Sequence, residues 1–303
     1  MTAVLFSGQG SQYVGMAKDL AGQREHARAL FDRAEEILGY SLFEICAEGP
    51  VERLKETRYT QPALFVHEAI IIDAVRNRLQ PVAVAGHSLG EYSAMYAAGV
   101  LDFDDALSLV ALRGKLMFEA GTSQPGTMAA IVGLPDETVE TICSGLSGGV
   151  VVAANYNAPG QVVISGDAEL VRASLDAFKS AGARMVTELP VSGAFHSPLM
   201  RPAQETLARA IHATSFRDAD VDVVCNVDAL AHREAGSLQD ALIAQLVSPV
   251  RWTQSLETMF RSGVRDYVEI GPGKVLQGLV KRTLKDVTIR GIDTEQDLSS
   301  MEQ

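Results

Sequence analysis

Residues 82–99 read VAVAGHSLGEYSAMYAAG, in which an apolar strand pattern runs through GHSLG at 86–90 into an Ala-rich helical pattern. The pentapeptide fits G-x-S-x-G, the nucleophile elbow between a strand and a helix. Glycines at both ends of such a turn keep Cβ atoms out of the space where strand and helix nearly meet. We therefore predict that Ser88 is an exposed nucleophile in acyl chemistry. The alternative is an ordinary helix-capping serine.

The overall composition is that of a globular protein with a substantial core. The chain has 303 residues, of which 47% are hydrophobic and 21% charged. This length allows one large α/β domain with an insertion, or two domains. No apolar run approaches the roughly 20 residues that a membrane span requires. The N-terminal sequence MTAVLFSGQG lacks a basic region and resembles a first buried strand rather than a signal peptide, so we expect a cytoplasmic protein.

Charge and cysteine content exclude several classes of function. The net charge of −12 argues against nucleic acid as a partner, and an anionic partner would need a local basic patch. The three cysteines, at 46, 143 and 225, have neither disulfide nor zinc spacing. The six histidines form no metal-ligand pattern, so we expect no metal site.

The order of apolar patterns along the chain predicts an α/β fold with a mostly parallel sheet. Short apolar runs alternate with helical patterns, as in βα units. The polar tail beyond about Asp293 is expected to fray. The predicted strands lie at 3–6, 82–85, 221–225 and 267–270, and the predicted helices at about 23–38, 61–79, 89–98, 103–119, 199–211 and 252–262.

Residues 123–190 have a different order of strand and helix patterns, which predicts a small inserted subdomain. Their patterns follow the order β-α-β-β-α-β of a ferredoxin-like unit, with a hairpin turn at NAPG, residues 157–160. The predicted organisation is a hydrolase-like large subdomain, formed by 1–122 and 191–303, that carries a ferredoxin-like small subdomain at 123–190.

A serine nucleophile needs a positioned base, and His196 is the best candidate. It lies where the inserted segment returns to the core, among small residues and before Ser197-Pro198, in a pattern typical of a loop entering a helix. We interpret His87 as structural, because the elbow geometry points it away from the serine. No Asp or Glu in 89–195 stands out as a triad acid, so a base oriented by a carbonyl group suits this chain better.

The segment FSGQGSQ at 6–12 follows the first predicted strand. Its glycines allow close approach of the backbone to a ligand, and an N–H there could be an oxyanion donor beside that of Leu89. A dinucleotide-binding motif is excluded, because Tyr13 stands where the third glycine would be. A plain Gly-rich turn remains the alternative.

Five motifs follow one another along the chain: GQGSQ at 8–12, GHSLGE at 86–91, RGK at 113–115, GAFHS at 193–197 and EIGPG at 269–273. Together they resemble the malonyl-CoA:acyl carrier protein transacylases and the acyltransferase domains of polyketide synthases. The resemblance runs from residue 2 to about 290. Ser7 departs from it, because the family usually has proline there, and we expect this to alter loop stiffness more than chemistry.

The resemblance implies a ping-pong transfer of malonyl from coenzyme A to Ser88 and then to a carrier thiol. His196 would be the general base and then the acid, and the backbone N–H groups of Gln9 and Leu89 would form the oxyanion hole. The main-chain carbonyl that steers the histidine matches Gln245 in QLVSPV, residues 245–250. No metal or redox cofactor is implied.

Arg113 separates this interpretation from that of a plain esterase. It lies at 106–120 among apolar residues at helical spacing, so an inward guanidinium would be costly without a partner. The resemblance supplies one in the free carboxylate of a malonyl group, although a solvated surface arginine is the alternative. The resemblance also implies that Phe195 and Met117 determine substrate selectivity. A clash of Phe195 with an α-methyl group would give preference for malonyl rather than exclusion, since one such group changes binding by only about 1–3 kcal/mol.

The partners that the resemblance implies are malonyl-CoA and the phosphopantetheine thiol of an acyl carrier protein, a small acidic helical bundle. We expect no membrane partner, and the family suggests a monomer. A basic group near the C-terminus could steer the carrier or bind coenzyme A phosphates, although a solvated helix face is the alternative. It consists of Lys274, Lys281, Arg282 and Lys285.

Two other functions remain open from sequence. A thioesterase or editing hydrolase would use the same scaffold, because water and thiol differ only in what the pocket admits. A non-catalytic docking module of a synthase is disfavoured by the intact pair Ser88 and His196. The sequence leaves open whether the pathway is fatty acid or polyketide synthesis.

Overall fold

Two separate sheets organise the chain in the computed structural model, which describes residues 1–191 and 193–302. One sheet has six strands and the other has four. In chain order the strands are β1 (Thr2–Phe6), β2 (Ala83–Gly86), β3 (Gly126–Val132), β4 (Val151–Ala158), β5 (Gln161–Asp167), β6 (Met185–Glu188), β7 (Asp222–Val224), β8 (Ala231–His232), β9 (Asp266–Ile270) and β10 (Thr288–Ile292).

The six-stranded sheet positions the loops from which the site is built. Its order is β10-β9-β1-β2-β7-β8, and every pair is parallel except β7 with β8. Val4 of β1 aligns with Val84 of β2 on one side and with Val268 of β9 on the other. These central strands are apolar and buried, as parallel strands covered on both faces must be. The carboxyl ends of β1, β2 and β7 therefore meet at one edge of the sheet.

Fourteen α-helices and one short 3₁₀ helix lie in the described part of the chain. The 3₁₀ helix spans Pro198–Met200. The α-helices are α1 (Lys18–Gln23), α2 (Glu25–Leu38), α3 (Leu42–Ala47), α4 (Val51–Lys55), α5 (Thr57–Val75), α6 (Gly90–Ala97), α7 (Phe103–Ser123), α8 (Asp136–Ser144), α9 (Ala168–Ser180), α10 (Arg201–Ala213), α11 (Ala235–Gln245), α12 (Trp252–Arg261), α13 (Val275–Thr283) and α14 (Glu295–Glu302).

Helices α5 and α7 pack closely against each other and bring two polar side chains to the site. Helix α5 is buried along most of its length. Gly114 of α7 makes the close approach possible, because a Cβ there would lie 2.9 Å from the carbonyl oxygen of Thr57. This contact places Arg113 of α7 against Gln61 of α5 in the protein interior.

The four-stranded sheet has the order β4-β5-β3-β6 and is antiparallel throughout. With α8 and α9 it follows the predicted order β-α-β-β-α-β, and it has a small core of its own that includes Ile131, Ile164 and Phe178. The hairpin between β4 and β5 turns at Gly160, whose φ is +68°. The α/β fold class predicted from the sequence is confirmed. We propose 123–190 as the limits of the small subdomain and 1–122 with 191–303 as the large one.

Backbone hydrogen bonds join the two sheets beside the site. The N–H of Tyr156 in β4 donates to the carbonyl of Val250 at 2.9 Å, and the N–H of Val250 donates to the carbonyl of Ala154 at 2.8 Å. Val250, in the segment that follows α11, therefore forms an isolated parallel β-bridge with Asn155 at the edge of the second sheet.

The prediction of a frayed tail is wrong for residues 295–302, which form α14. Leu298 is 1% exposed, and Arg24 of the chain's first quarter pairs with Glu295. The side chain of Asp297 accepts hydrogen bonds from the N–H groups of Asp293 and Thr294, in a capping arrangement. The polar composition concealed these caps and the apolar side chains of Leu298 and Met301, which pack against the core.

Within the described ranges, no helix combines the length and the apolar composition that a membrane crossing requires.

Candidate active site

The turn between β2 and α6 is as tight as the glycine spacing predicts. A Cβ on Gly86 would lie 1.8 Å from the carbonyl carbon of Gly90, and a Cβ on Gly90 would lie 2.3 Å from the carbonyl oxygen of Phe6. Only glycine fits at either position. Between them Ser88 has a φ of +54°, a left-handed conformation that is strained for a residue with a side chain. This geometry lifts the serine hydroxyl above the sheet edge.

The hydroxyl of Ser88 meets the imidazole of His196. The Oγ atom lies 2.7 Å from Nε2, and Nδ1 lies 3.0 Å from the main-chain oxygen of Gln245. A carbonyl only accepts, so Nδ1 carries the proton and Nε2 is free to accept one from the serine. His196 has a φ of +56°, which turns its ring toward the elbow. The carbonyl occupies the place that a carboxylate holds in a Ser-His-Asp triad.

Burial sets the protonation state of this histidine. His196 is 4% exposed. Desolvation, followed by the charge of Arg113, lowers the pKa of His196 to about 3, and the hydrogen bond to Gln245 opposes this only in part. The ring is therefore neutral at neutral pH, which is the form that a general base requires.

Arg113 is buried, 1% exposed, and lies beside the serine. Its Nη1 donates to Oε1 of Gln61 at 2.8 Å, and its Nη2 donates to Oγ of Ser88 at 3.0 Å and to Oε1 of Gln245 at 2.9 Å. Nε has no hydrogen-bond partner. Among the residues that the structure describes, no carboxylate forms an ion pair with this guanidinium. The site thus holds a cation ready to pair with an anionic ligand.

Two backbone N–H groups at the cavity, those of Gln9 and Leu89, have no acceptor among the described residues. The loop of Gln9 is tied to α5, because its side-chain Nε2 donates to Oγ1 of Thr57 at 3.1 Å. Ser7, the position that departs from the family pattern, donates its hydroxyl to the buried Oε1 of Glu68 on the same helix at 2.6 Å. The loop is therefore anchored on both sides of the free N–H group.

The cavity above Ser88 has a volume of about 160 Å³ and is mostly apolar. Phe195 and Met117 line it, as do Met128 and Val163 of the small subdomain. The four-stranded sheet, through β3 and β5, therefore forms one wall of the pocket. The size suits a short acyl group rather than a long chain.

Sequence reasoning missed several polar residues of the site. Gln61 holds Arg113, and Asn226 after β7 contacts the elbow. His87 lies on the cavity wall with Asn157, and its Nε2 is 2.8 Å from Oδ1 of that residue. It therefore bridges the two subdomains instead of facing away from the site. The side chain of Gln245 also reaches the site. The only signal was a polar residue inside or directly after an apolar segment, which is too common to be selective.

The basic residues near the C-terminus lie outside the cavity. All four, Lys274, Lys281, Arg282 and Lys285, are exposed on or beside α13. Arg282 donates to Oε1 of Gln161 at the start of β5. The group thus borders the hairpin that also carries Asn157 to the cavity. Across the described chain, no cluster of three or more His, Cys, Asp or Glu side chains is arranged to hold a metal ion.

Residues 4–302 match the family of acyl transferase domains. The malonyl CoA-acyl carrier protein transacylase of Haemophilus influenzae is 42% identical over 305 residues, which covers 99% of this chain and 98% of that protein. The corresponding protein of Escherichia coli K12 is 43% identical and covers 96% of this chain and 95% of its own length.

Solved structures show the same fold over almost the whole chain. A 1.7 Å crystal structure of an acyl carrier protein S-malonyltransferase from Vibrio cholerae superposes with a TM-score of 0.94 at 43% identity, covering 99% of both chains. A malonyl-transacylase in complex with a type II PKS acyl-carrier protein has a TM-score of 0.95 at 40% identity, covering 99% of this chain and 98% of that one.

The depressed pKa of His196 predicts a flat pH profile for the reactivity of Ser88. With a pKa near 3, the imidazole stays neutral between pH 7.5 and pH 5, so phosphonylation of Ser88 by a fluorophosphonate should change less than about twofold. An imidazole of ordinary pKa, about 6.5, would lose roughly thirtyfold at pH 5. Labelling rates followed by intact mass, with Ser88→Ala as the blank, decide between the two. A fall centred near pH 6.5 would contradict the geometry.

Proposed function

The chain belongs to the family of acyl transferase domains, and we propose that it uses this site to move malonyl groups through an ester on Ser88. It is a malonyl-CoA:acyl carrier protein transacylase, an acyltransferase that acts with malonyl-CoA and an acyl carrier protein. The residues that carry out the two half-reactions are assigned below from the geometry of the site.

The observation that carries the proposal is the buried guanidinium of Arg113. It lies 3.0 Å from Ser88 Oγ and is bonded only to neutral oxygen atoms. A malonyl thioester has its free carboxylate two carbons from the reacting carbonyl, so the carboxylate would reach the guanidinium when the carbonyl reaches Ser88. A two-pronged pair with the carboxylate would fix the acyl group by its free end. An esterase for neutral acyl groups has no use for this charge.

In the first half-reaction, Ser88 Oγ attacks the thioester carbonyl while Nε2 of His196 takes the hydroxyl proton. The N–H groups of Gln9 and Leu89 hold the negative charge that forms on the carbonyl oxygen. The carbonyl of Gln245 holds Nδ1–H and keeps the ring in the required tautomer. The intermediate then collapses, the C–S bond breaks, and Nε2 returns its proton to the coenzyme A thiolate. Malonyl remains as an ester on Ser88.

The second half-reaction runs the same steps in reverse order with a new thiol. Nε2 of His196 takes the proton of the phosphopantetheine thiol, the sulfur attacks the ester, and the serine oxygen leaves with that proton. Thioester and ester exchange needs no electron transfer, so we propose no cofactor. We also propose a cytoplasmic location, which the three free, buried cysteines support as residues usual in a reducing compartment.

Selectivity for the acyl group would come from the cavity wall. Phe195 and Met117 are 5% and 1% exposed and face the same cavity as Arg113. An α-methyl branch on the acyl group would press on the Phe195 ring while the carboxylate stays on Arg113. We therefore propose preference for malonyl over methylmalonyl, by the modest factor that one methyl group allows.

The carrier would be attracted by the basic group at α13. Replacing Lys281 and Arg282 together with Glu should raise the KM for an acidic carrier protein about fivefold or more, because complementary charge steers association. The rate of acylation by malonyl-CoA should stay the same, and the defect should shrink at high salt. The control is Arg172→Glu with Lys179→Glu, two equally exposed charges on α9. An unchanged KM at low salt would remove the group from the carrier interface.

Arg113→Ala should strongly reduce the preference for an acyl group that carries a carboxylate. Charge-assisted hydrogen bonds contribute about 1.5–3 kcal/mol, so selectivity for malonyl over acetyl should fall by a factor of about 10–150. A competition assay with malonyl-, methylmalonyl- and acetyl-CoA measures this. Lys115→Ala is the matched control, because it removes the same charge from an exposed position on the same helix. Unchanged selectivity in Arg113→Ala would refute the assignment.

The function itself is tested by intact mass after mixing the protein with malonyl-CoA alone. We expect one malonyl group on the wild type, stable for minutes, absent from Ser88→Ala, and discharged when a carrier thiol is added. The dry, apolar pocket is the reason for this stability, because it keeps water from the ester. Release of coenzyme A without an adduct would show hydrolysis and would overturn transfer.

A further inference from the structure

Asn226, the second residue after β7, is fully buried and hydrogen-bonds to the elbow. Its side-chain Oδ1 accepts a hydrogen bond from the N–H of Ser88 at 2.8 Å. Its Nδ2 donates to the main-chain oxygen of Gly86 at 2.7 Å. One amide group thus spans the turn, bonded to the residue that carries the hydroxyl and to the last residue of β2.

The turn needs such a restraint. A left-handed conformation at a residue with a side chain costs on the order of 1–3 kcal/mol, and Ser88 adopts it at a φ of +54°. Gly86 and Gly90 make room for the turn, but glycine permits many conformations and holds none of them. The side-chain amide supplies a direction, because its hydrogen bonds to Ser88 N–H and to the Gly86 oxygen form together only when that N–H points toward Asn226. Its Oδ1 also accepts a longer hydrogen bond from Nε2 of Gln245 at 3.4 Å.

Asn226 is itself held in place by two main-chain contacts. Its N–H donates to Oε2 of the buried Glu91 at 2.6 Å, and its carbonyl accepts from the N–H of Arg251 at 3.0 Å. Glu91 lies in the first turn of α6, directly after the elbow. The opposite side of Ser88 is also held, because Nε2 of Gln245 donates to the Ser88 carbonyl at 2.9 Å. Both peptide groups of the serine are therefore fixed by side chains from the second half of the chain.

The N–H groups of Ser88 and Leu89, both in the elbow, have different roles in this arrangement. The N–H of Ser88 is occupied by Asn226, whereas that of Leu89 has no acceptor among the described residues and faces the cavity. If the first bond were lost, the peptide could rotate, and Oγ would leave the line to His196 Nε2. A misplacement of about 1 Å can cost on the order of a hundredfold in rate.

We propose that Asn226 is a positioning residue for the nucleophile: its side-chain amide holds Ser88 in the left-handed conformation that aims Oγ at His196. The proposal rests on the assignment of Ser88 as the nucleophile and adds a residue that acts on it from outside the cavity. Asn226 touches neither acyl group nor thiol, so its loss should slow acylation and leave substrate affinity unchanged.

The test compares Asn226→Ala and Asn226→Asp with the wild type in two assays. One is single-turnover acylation by malonyl-CoA, and the other is phosphonylation of Ser88 by a fluorophosphonate, which needs no malonyl recognition. Cys225→Ala is the matched control, because Cys225 is the neighbouring residue, is fully buried, and directs its thiol to the main-chain oxygen of Val223 rather than to Ser88 or Gly86. Thermal unfolding of each variant fixes a temperature at which all are folded.

We expect Asn226→Ala to be slowed at least tenfold in both assays at every pH, with half-saturation by malonyl-CoA changed less than twofold. Asn226→Asp provides the conservative rescue. When protonated, the introduced carboxyl can accept from Ser88 N–H and donate to the Gly86 oxygen as the amide does, and when ionised it cannot donate. The charged or titratable groups around this position are Glu91, which accepts from the main-chain N–H of Asn226, and Arg113, Cys225 and Asp228, which each interact electrostatically with Glu91. The rates of Asn226→Asp should therefore rise as the pH falls from 8 to 5, whereas the rates of the wild type should stay constant over this range. Cys225→Ala should match the wild type.

Wild-type rates in folded Asn226→Ala, or an equal loss in Cys225→Ala, would overturn the proposal, because Asn226 would then act only through stability. A rise in the half-saturating malonyl-CoA concentration with an unchanged maximal rate would also overturn it, since it would place Asn226 in substrate binding. If the wild type formed no malonyl ester, the proposed function would fail, and the phosphonylation rates would still decide the role of Asn226.

Discussion

The hydrogen bonds of Gln245 join parts of the active site that lie up to 157 residues away in the chain. Its main-chain oxygen accepts from His196, its side-chain oxygen accepts from Arg113, and its side-chain nitrogen donates to the carbonyl of Ser88. All of these groups are buried or nearly so, and a buried polar group left without a partner costs about 1–3 kcal/mol. The position of one residue at the end of α11 therefore constrains nucleophile, base and guanidinium together. Asn226 adds a second contact to the same serine from β7.

Burial of Arg113 carries an energetic cost that its surroundings do not fully offset. Its hydrogen-bond partners are neutral oxygens, and its Nε has none. The same charge helps to lower the pKa of His196, second only to desolvation. A carboxylate bound to Arg113 would offset that charge, so substrate binding and the basicity of the imidazole are physically coupled. Natural proteins accept such unfavourable groups mainly where function requires them.

The features that could be predicted from the sequence are those with a short-range signal. The elbow could be predicted because two glycines flank one serine between a strand and a helix. The small sheet could be predicted because its strand and helix patterns follow in order within 123–190. Arg113 stood out as a charge within an apolar helical pattern, but only the resemblance assigned it a ligand. Gln61 and Asn226 carried no comparable signal, since their contacts span 52 and 138 residues of sequence. The C-terminal helix was missed because a single buried leucine and a side-chain cap decide it, not periodicity.

The backbone pairing of Val250 with β4 has a consequence for engineering. The wall of the cavity that comes from the small subdomain, including Met128 and Val163, is an obvious part to exchange between relatives in order to alter acyl selectivity. Yet the hydrogen bonds of Val250 to Ala154 and Tyr156 tie that subdomain to the segment that begins at Gln245. A graft of 123–190 alone would place a foreign strand against Val250, in the segment that directly follows the residue that orients the base. Functional chimeras of this fold should therefore be cut so that residues 245–251 travel with the insert.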